Sequence, residues 1–267
     1  MCSLEDILKR VILIFSLFIG FFLTYPAQSQ QLNEMVRIEG GTFIMGSPAN
    51  EQGRNSSEGP QHQVAVGSFY IAKFPVTQAE YQEIMGKNPS HYAGSALPVE
   101  QVNWFEAVEY CNKRSEKEGL TPAYTVNGIN VTWNRDANGY RLPTEAEWEF
   151  ACRAGTQTPY YSGTSVDEVG WHVGNSSTRT NPVGEKLPNA WGLYDMLGNV
   201  LEWCWDWLGN YSTEENNNPV GPASGTSRVY RGGCWSFQAN QIRSAYRFGN
   251  NPNMRSFLVG FRVARSG

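Results

Sequence analysis

Apolar positions follow three different patterns along this chain, and each predicts a different kind of element. From Val11 to Leu23 nearly every residue is apolar, with Lys9 and Arg10 before the run and Ala27-Gln28-Ser29 after it. A basic start, a short apolar run and small residues at cleavage spacing predict an export signal spanning residues 1–29, then a short leader at 30–35. The run falls short of the ~20 apolar residues that a bilayer-spanning helix needs, although an uncleaved N-terminal anchor is the alternative it leaves open. No membrane span is expected once the signal is removed.

Helical spacing appears next, each time behind a start signal. Thr77 with Glu80, Asn103 with Glu106 and Thr144 with Glu147 have the capping-box spacing, in which side chain and backbone satisfy each other's free groups. Behind Asn103, Trp104, Ala107, Val108 and Cys111 share one face; Glu109, Lys113 and Arg114 lie on the other, and Gly119 is a stop. Behind Thr144, Trp148, Ala151 and Cys152 face inward, and Gly155 closes the helix. Core packing explains the aromatics and cysteines at these positions.

Strand alternation surrounds Asn127-Gly128 between Tyr124 and Val131, a strong hairpin signal. Asn138-Gly139 reads as a second turn. Residues 47–59, 175–188 and 210–227 are polar loops punctuated by Gly and Pro. There is no internal repeat and no linker, so residues 36–267 read as one α+β domain of short helices, short strands and long loops.

Composition narrows the function. Charged residues make up 17%, aromatics 13%, and the net charge is −4. A mildly acidic chain without a basic patch argues against nucleic acid as a partner. Cys111, Cys152, Cys204 and Cys234 follow the signal; an even number in an exported chain permits two bridges with three connectivities. Their spacing matches no zinc motif. His62, His91 and His172 lie far apart in polar loops and are read as non-ligands. No Ser-His-Asp constellation or P-loop is present.

The densest stretch runs from Gly192 to Trp207, with three tryptophans, two glycines and three acids. Asp195 and Glu202 flank a Gly-Asn turn, and two carboxylates with nearby carbonyls suit a hard cation such as calcium. Gly192-Leu193-Tyr194-Asp195-Met196-Leu197-Gly198-Asn199-Val200-Leu201-Glu202-Trp203 also resembles a signature of the sulfatase-modifying-factor, or formylglycine-generating-enzyme, family. Arg141-Leu142-Pro143-Thr144-Glu145-Ala146-Glu147-Trp148-Glu149, Arg231-Gly232-Gly233 with Trp235, Gly260-Phe261-Arg262 and the opening Ile38–Ser47 are similar to further motifs of that family, in order. The resemblance covers about Val36 to Ala264.

It implies a C-type-lectin-like fold and a calcium site of Asp195 and Glu202 side chains with Gly198 and Val200 carbonyls. It also exposes a departure. The enzyme oxidises a substrate cysteine with two copper-binding cysteines, separated by four residues, shortly after the Gly-Gly pair. Here Gly232-Gly233 is followed by Cys234 and then by no cysteine at all. Copper is therefore not expected, since paired thiolates are what select Cu(I). Leu201 also replaces a family tryptophan. Cys234 stands where the enzyme has a serine, leaving a lone redox or nucleophilic residue, a buried strand cysteine or a bridge to Cys204 as readings. Cys111 and Cys152 match structural cysteines whose partners are replaced, by Val263 and by a residue near Ser244, and are expected free and buried.

From Trp235 to Phe257, aromatic, Asn, Ser and Gln residues intersperse with Arg243, Ala245, Arg247, Pro252 and Arg255. Large rigid rings with adaptable amides are what recognition surfaces use. The arrangement resembles retroelement-diversified variable regions of lectin-fold proteins. The expectation is an exported, monomeric, non-catalytic module that binds a protein or other extracytoplasmic ligand through Trp235, Phe237, Gln238, Asn240, Tyr246, Phe248, Asn250 and Phe257. The alternatives are a family oxidoreductase acting through Cys234 and a component of an envelope secretion or motility complex.

Overall fold

The three capping boxes each start a helix. In the computed structural model, which describes residues 34–162, 165–214 and 216–267, α1 (Gln78–Met85), α2 (Trp104–Lys117) and α3 (Glu145–Arg153) begin behind Thr77, Asn103 and Thr144. The N-cap oxygen accepts the N–H of Glu80, Glu106 or Glu147, satisfying a donor that the first turn leaves free. A fourth, one-turn helix, α4 (Val166–Val169), was not legible in the pattern. The expected signal at 1–29 and residues 30–33 of the expected leader lie outside the described residues, whereas Met35, the leader's last residue, opens the first strand. Among the described residues no helix is long and apolar enough to cross a membrane.

Helix α2 departs from its expected amphipathic face at one residue. Arg114 is buried, with its guanidinium 4.2 Å from the Tyr140 ring and its Nε donating to Glu118 at 3.0 Å. A long aliphatic stem and a planar head let arginine sit under an aromatic where a lysine would seek water. The expected hairpin forms as Tyr124–Asn127 paired antiparallel with Asn130–Trp133, turning at Gly128-Ile129. The second expected turn is displaced: Ala137 N–H donates to Asn134 O, and Asn138 instead accepts from the Thr121 N–H.

The strands make small sheets rather than one large one. One four-stranded antiparallel sheet orders Met35–Ile38, Phe69–Ala72, Ala264–Ser266 and Tyr140–Arg141, so the first and last strands flank Phe69–Ala72 on either side. Another orders Arg247–Asn250, Arg228–Arg231, Leu201–Trp207 and Val259–Gly260, and carries the segment from Trp235 to Phe257 between its strands. A third orders Asn216–Asn217, His62–Val66 and Gly41–Met45. One apolar cluster gathers around α2 (Trp104, Tyr110, Trp203, Phe261) and another around α3 (Trp148, Phe69, Leu193, Met196).

Two glycines let these parts approach. At Gly198 (φ +80) a Cβ would collide with the Trp171 backbone, and at Gly233 (φ +70) it would lie 2.6 Å from both Gln241 O and Ile242 Cγ2. Only a residue without a side chain tolerates both the left-handed backbone and the contact. The tryptophans between them serve the core as expected: Trp203 is fully buried, and its indole N–H donates to Val102 O at 3.0 Å.

Candidate functional site

The segment from Trp235 to Phe257 is held from beneath by arginines. Arg243 forms a two-pronged ion pair with Glu58 (2.7 Å for both contacts), also pairs with Glu51, and donates to Gly53 O. Arg247 forms a second fork on Glu145 at 2.6 Å and reaches Ser57 O and Gly209 O. Arg231 pairs with Glu149 and donates to Ala245 O and Tyr246 O. Burial alone would raise these carboxyls, but the facing guanidiniums outweigh it and hold Glu58, Glu145 and Glu149 below the usual range. Forked arginine–carboxylate bonds fix direction as well as distance. The loops at 51–58 and the backbone at 243–247 are thereby locked together.

Above this frame the expected ligand residues divide. Trp235 and Tyr246 are buried, at 8% and 6% exposure, and Phe237 is half-buried against both apolar clusters. These three mainly pack: Phe237 and Tyr246 meet edge to face at 5.9 Å. Gln238 and Asn240 are exposed on a short 3₁₀ turn at Ala239–Gln241. Phe248 is half exposed on an edge strand, 5.8 Å from Tyr230, and Asn250 is half-buried opposite Arg228. Phe257 is 41% exposed and lies 6.0 Å from Trp235.

Two other loops complete the cluster around Phe257, and sequence reasoning missed both. Tyr92 packs edge-on against Trp235 (5.8 Å) and Phe257 (6.5 Å), His91 lies 5.8 Å from Phe257, and Arg179 sits 5.6 Å from the Tyr92 ring centre. Each aromatic pair adds about 0.5–1.5 kcal/mol beyond buried area, so four rings hold one another in place. Glu100 anchors the loop from below: it is fully buried, accepts the Tyr92 N–H at 2.8 Å, and is pushed up by its burial. Beside the rings, residues 93–97 and 179–182 border a groove of about 440 Å³. The only available sign was that His91-Tyr92 are costly residues in a polar loop. Nothing in their spacing tied them to residues 235–257.

Cys234 is fully buried, its Sγ is 3.4 Å from Ser236 Oγ, and burial pushes the thiol up to about 11. A nucleophile or metal ligand needs the thiolate, so this environment does not suit a lone redox cysteine. All four described cysteines are free and buried, which removes both the Cys204–Cys234 bridge and the two-bridge reading. Cys152 lies against Ser244, the expected replacement for its partner.

The four calcium positions do not fit the ion in this arrangement. Glu202 has both oxygens engaged: Arg262 Nε (2.7 Å) and Trp148 Nε1 (2.7 Å) donate to one, and Arg262 Nη2 (2.8 Å) to the other. Arg262 also donates to Tyr194 O, so a guanidinium occupies the acidic turn. Asp195 accepts from Gly184 N–H and Asn199, and burial pushes it up to about 6. The expected Gly198 and Val200 carbonyls would add only two oxygens beside these engaged carboxyls, and a dication needs several oxygens not already facing N–H groups. Among the described residues no three His, Cys, Asp or Glu side chains group as a metal site. His62 opens a strand rather than lying in a loop, and both His62 and His172 are buried; His172 Nε2 lies 2.6 Å from Asp167 Oδ1.

Comparison with known proteins agrees with this geometry. The model of the sulfatase-modifying factor enzyme 1-like domain matches residues 22–267. A solved structure, Treponema denticola variable protein 1, superposes with a TM-score of 0.81 at 34% identity, covering 87% of this chain and 95% of that one. Chaperone protein LppX of Paenibacillus barcinonensis is 36% identical over 88% of this chain and 90% of its own length. The formylglycine-generating enzyme of Mus musculus is 32% identical over 91% of this chain and 77% of its own length. Fold, motif order and coverage agree, and the chain belongs to the sulfatase-modifying factor enzyme 1-like family.

Proposed function

We propose that this chain is a non-catalytic member of its family, exported and monomeric, that recognises a protein or other extracytoplasmic ligand. The recognition surface is built on Phe257, Trp235, Tyr92 and His91, with Arg179 at its edge. The observation that carries this reading is the four-ring cluster, partly open to solvent, on a backbone locked by buried arginine forks. Rigid rings give contact area at low entropic cost, while Asn251, Asn253 and Gln238 offer exposed amides around them. The likeness to a protein named as variable supports a surface whose residues change while its frame stays, and the relative named a chaperone supports protein as the partner class.

Two assays test the reading. Purified protein is incubated in air with a sulfatase-derived cysteine peptide, and titrated anaerobically with Cu(I). The outcome that fits is no aldehyde and no tight copper binding; aldehyde formation overturns it. In parallel, Gln238, Asn240, Phe248, Asn253 and Phe257 are replaced together by a mixture of polar and aromatic residues. A recognition surface keeps its melting temperature through such changes, since exposed substitutions are usually worth within about 0.5 kcal/mol each. General unfolding of the set contradicts a surface role.

A further inference from the structure

Away from the aromatic surface, a cavity of about 290 Å³ opens between the loop after Trp207 and the first turn of α3. Asp206, His62 and the paired Glu145 and Arg247 lie on its polar side, and Met45, Trp207 and Val220 are on its apolar side. The volume lies at the low end for small-molecule sites, about 300–1,000 Å³, so it suits a small ligand.

Asp206 is the residue without an explanation. It is 3% exposed, and its Oδ2 accepts the Glu145 N–H at 2.8 Å, which satisfies one donor of α3. Its Oδ1 has no hydrogen-bond partner among the described residues, and the side chain borders the cavity. The contrast with the neighbouring acids is plain. Glu58, Glu145, Glu149 and Glu202 each hold an arginine within the protein, and Asp206 forms no ion pair among the described residues. Gly221, at φ +74, lets its loop pass directly over this carboxylate; a Cβ there would lie 3.0 Å from Oδ1. Across the cavity, His62 Nδ1 is 3.2 Å from Pro60 O, an acceptor, which places the ring hydrogen on Nδ1 and leaves Nε2 as a lone-pair acceptor.

Glu145 and Arg247 at this cavity satisfy each other, which leaves Asp206 Oδ1 and His62 Nε2 as its open polar positions; a cationic donor would complete both, with Asp206 giving up its proton to solvent as the cation binds. We infer that this cavity binds a small organic primary ammonium ion, with its N–H groups directed to Asp206 Oδ1 and its carbon chain against Met45, Trp207 and Val220. Burial first, and the Glu145 carboxylate second, push Asp206 up to about 8. Glu147 and Arg247 also act on it, Arg247 is already committed to Glu145, and Arg228, which feels the Asp206 charge, donates to Trp205 O and lies over the Trp207 ring. A bound ammonium supplies the counter-charge that the fold gives to the other buried acids.

The test uses the full chain and three probes of equal carbon-chain length: n-butylammonium, n-butanol and butyrate. Binding is followed by calorimetry and by saturation-transfer NMR. Saturable binding of n-butylammonium, at least about ten-fold tighter than either other probe, is the expected result. Asp206→Asn keeps an oxygen for the α3 cap and should weaken n-butylammonium about ten-fold or more. Val220→Trp, which leaves Asp206 untouched and fills the rim, should also block binding; it decides the matter if the Asn variant fails to fold. Equal binding of n-butanol, no saturable binding of n-butylammonium, or folded variants that both bind as before would each overturn the inference.

Discussion

The acids around α3 and the acid beneath the loop at 219–222 lie close in the fold yet live in different regimes. Glu145 and Glu149 are buried opposite guanidiniums that outweigh the cost of burial. Asp206 caps the same helix with no arginine hydrogen-bonded to it, and burial outweighs the more distant Arg247 and Arg228. The difference teaches that buried charge here has two uses. Paired, it locks loops to strands beneath the recognition segment. Unpaired and beside a cavity, it is left for something else to complete.

Breaking the paired side should have the largest effect. Arg247→Ala leaves Glu145 buried without its fork and should cost about 3–5 kcal/mol, read as a lowered denaturation midpoint with unchanged slope. The same pairs set the acid limit. Their carboxyls are held below 4.5 in the folded state, so their contribution is present above that pH and lost as pH falls through the lowered values. Acid unfolding should therefore steepen below about pH 4 and move upward in Arg247→Ala.

Asp206 has the opposite sign. Its folded value is raised from 3.8 to about 8, so the folded state holds a proton that the unfolded state releases, and stability falls as pH rises across that window. Asp206→Asn does not titrate. Its melting temperature relative to the parent should climb from about pH 4 to about pH 8 and then level. A difference that is flat with pH would place the charge of Asp206 in solvent.

Smaller effects belong to the recognition face. Phe257→Ala should change stability by less than about 1 kcal/mol, because its ring is partly solvated already. Trp235→Ala should cost about 3–5 kcal/mol if its buried ring is core; a cost as small as that of Phe257 would merge the two roles. The smallest expected effect is none: a chelator should leave the melting temperature unchanged, since Glu202 is already neutralised by Arg262. A fall on chelation, restored by calcium, would show that Arg262 yields its place to the ion.

Much of the frame was legible before the structure because its signals are local. A capping box spans four residues and a hairpin turn two, so Thr77, Asn103, Thr144 and Gly128 announce elements that form where expected. The absence of paired cysteines after Gly233 is likewise written in the chain itself. Depth was less accessible. Trp235 and Phe257 have similar chemistry, yet only one is buried, because what covers Trp235 comes from the loops at 92 and 176.

The chain alone determined the family motifs, the three helix starts and the lack of any cysteine after Cys234, since each depends on residues close in sequence or on residue type. Tertiary structure decided the rest. It set Arg262 against Glu202 across 60 residues, brought Tyr92 to Phe257, and left Asp206 without an arginine hydrogen-bonded to it. Coulomb and packing energies depend on distance and burial in space, and no spacing along a chain encodes which distant group will arrive opposite a buried charge.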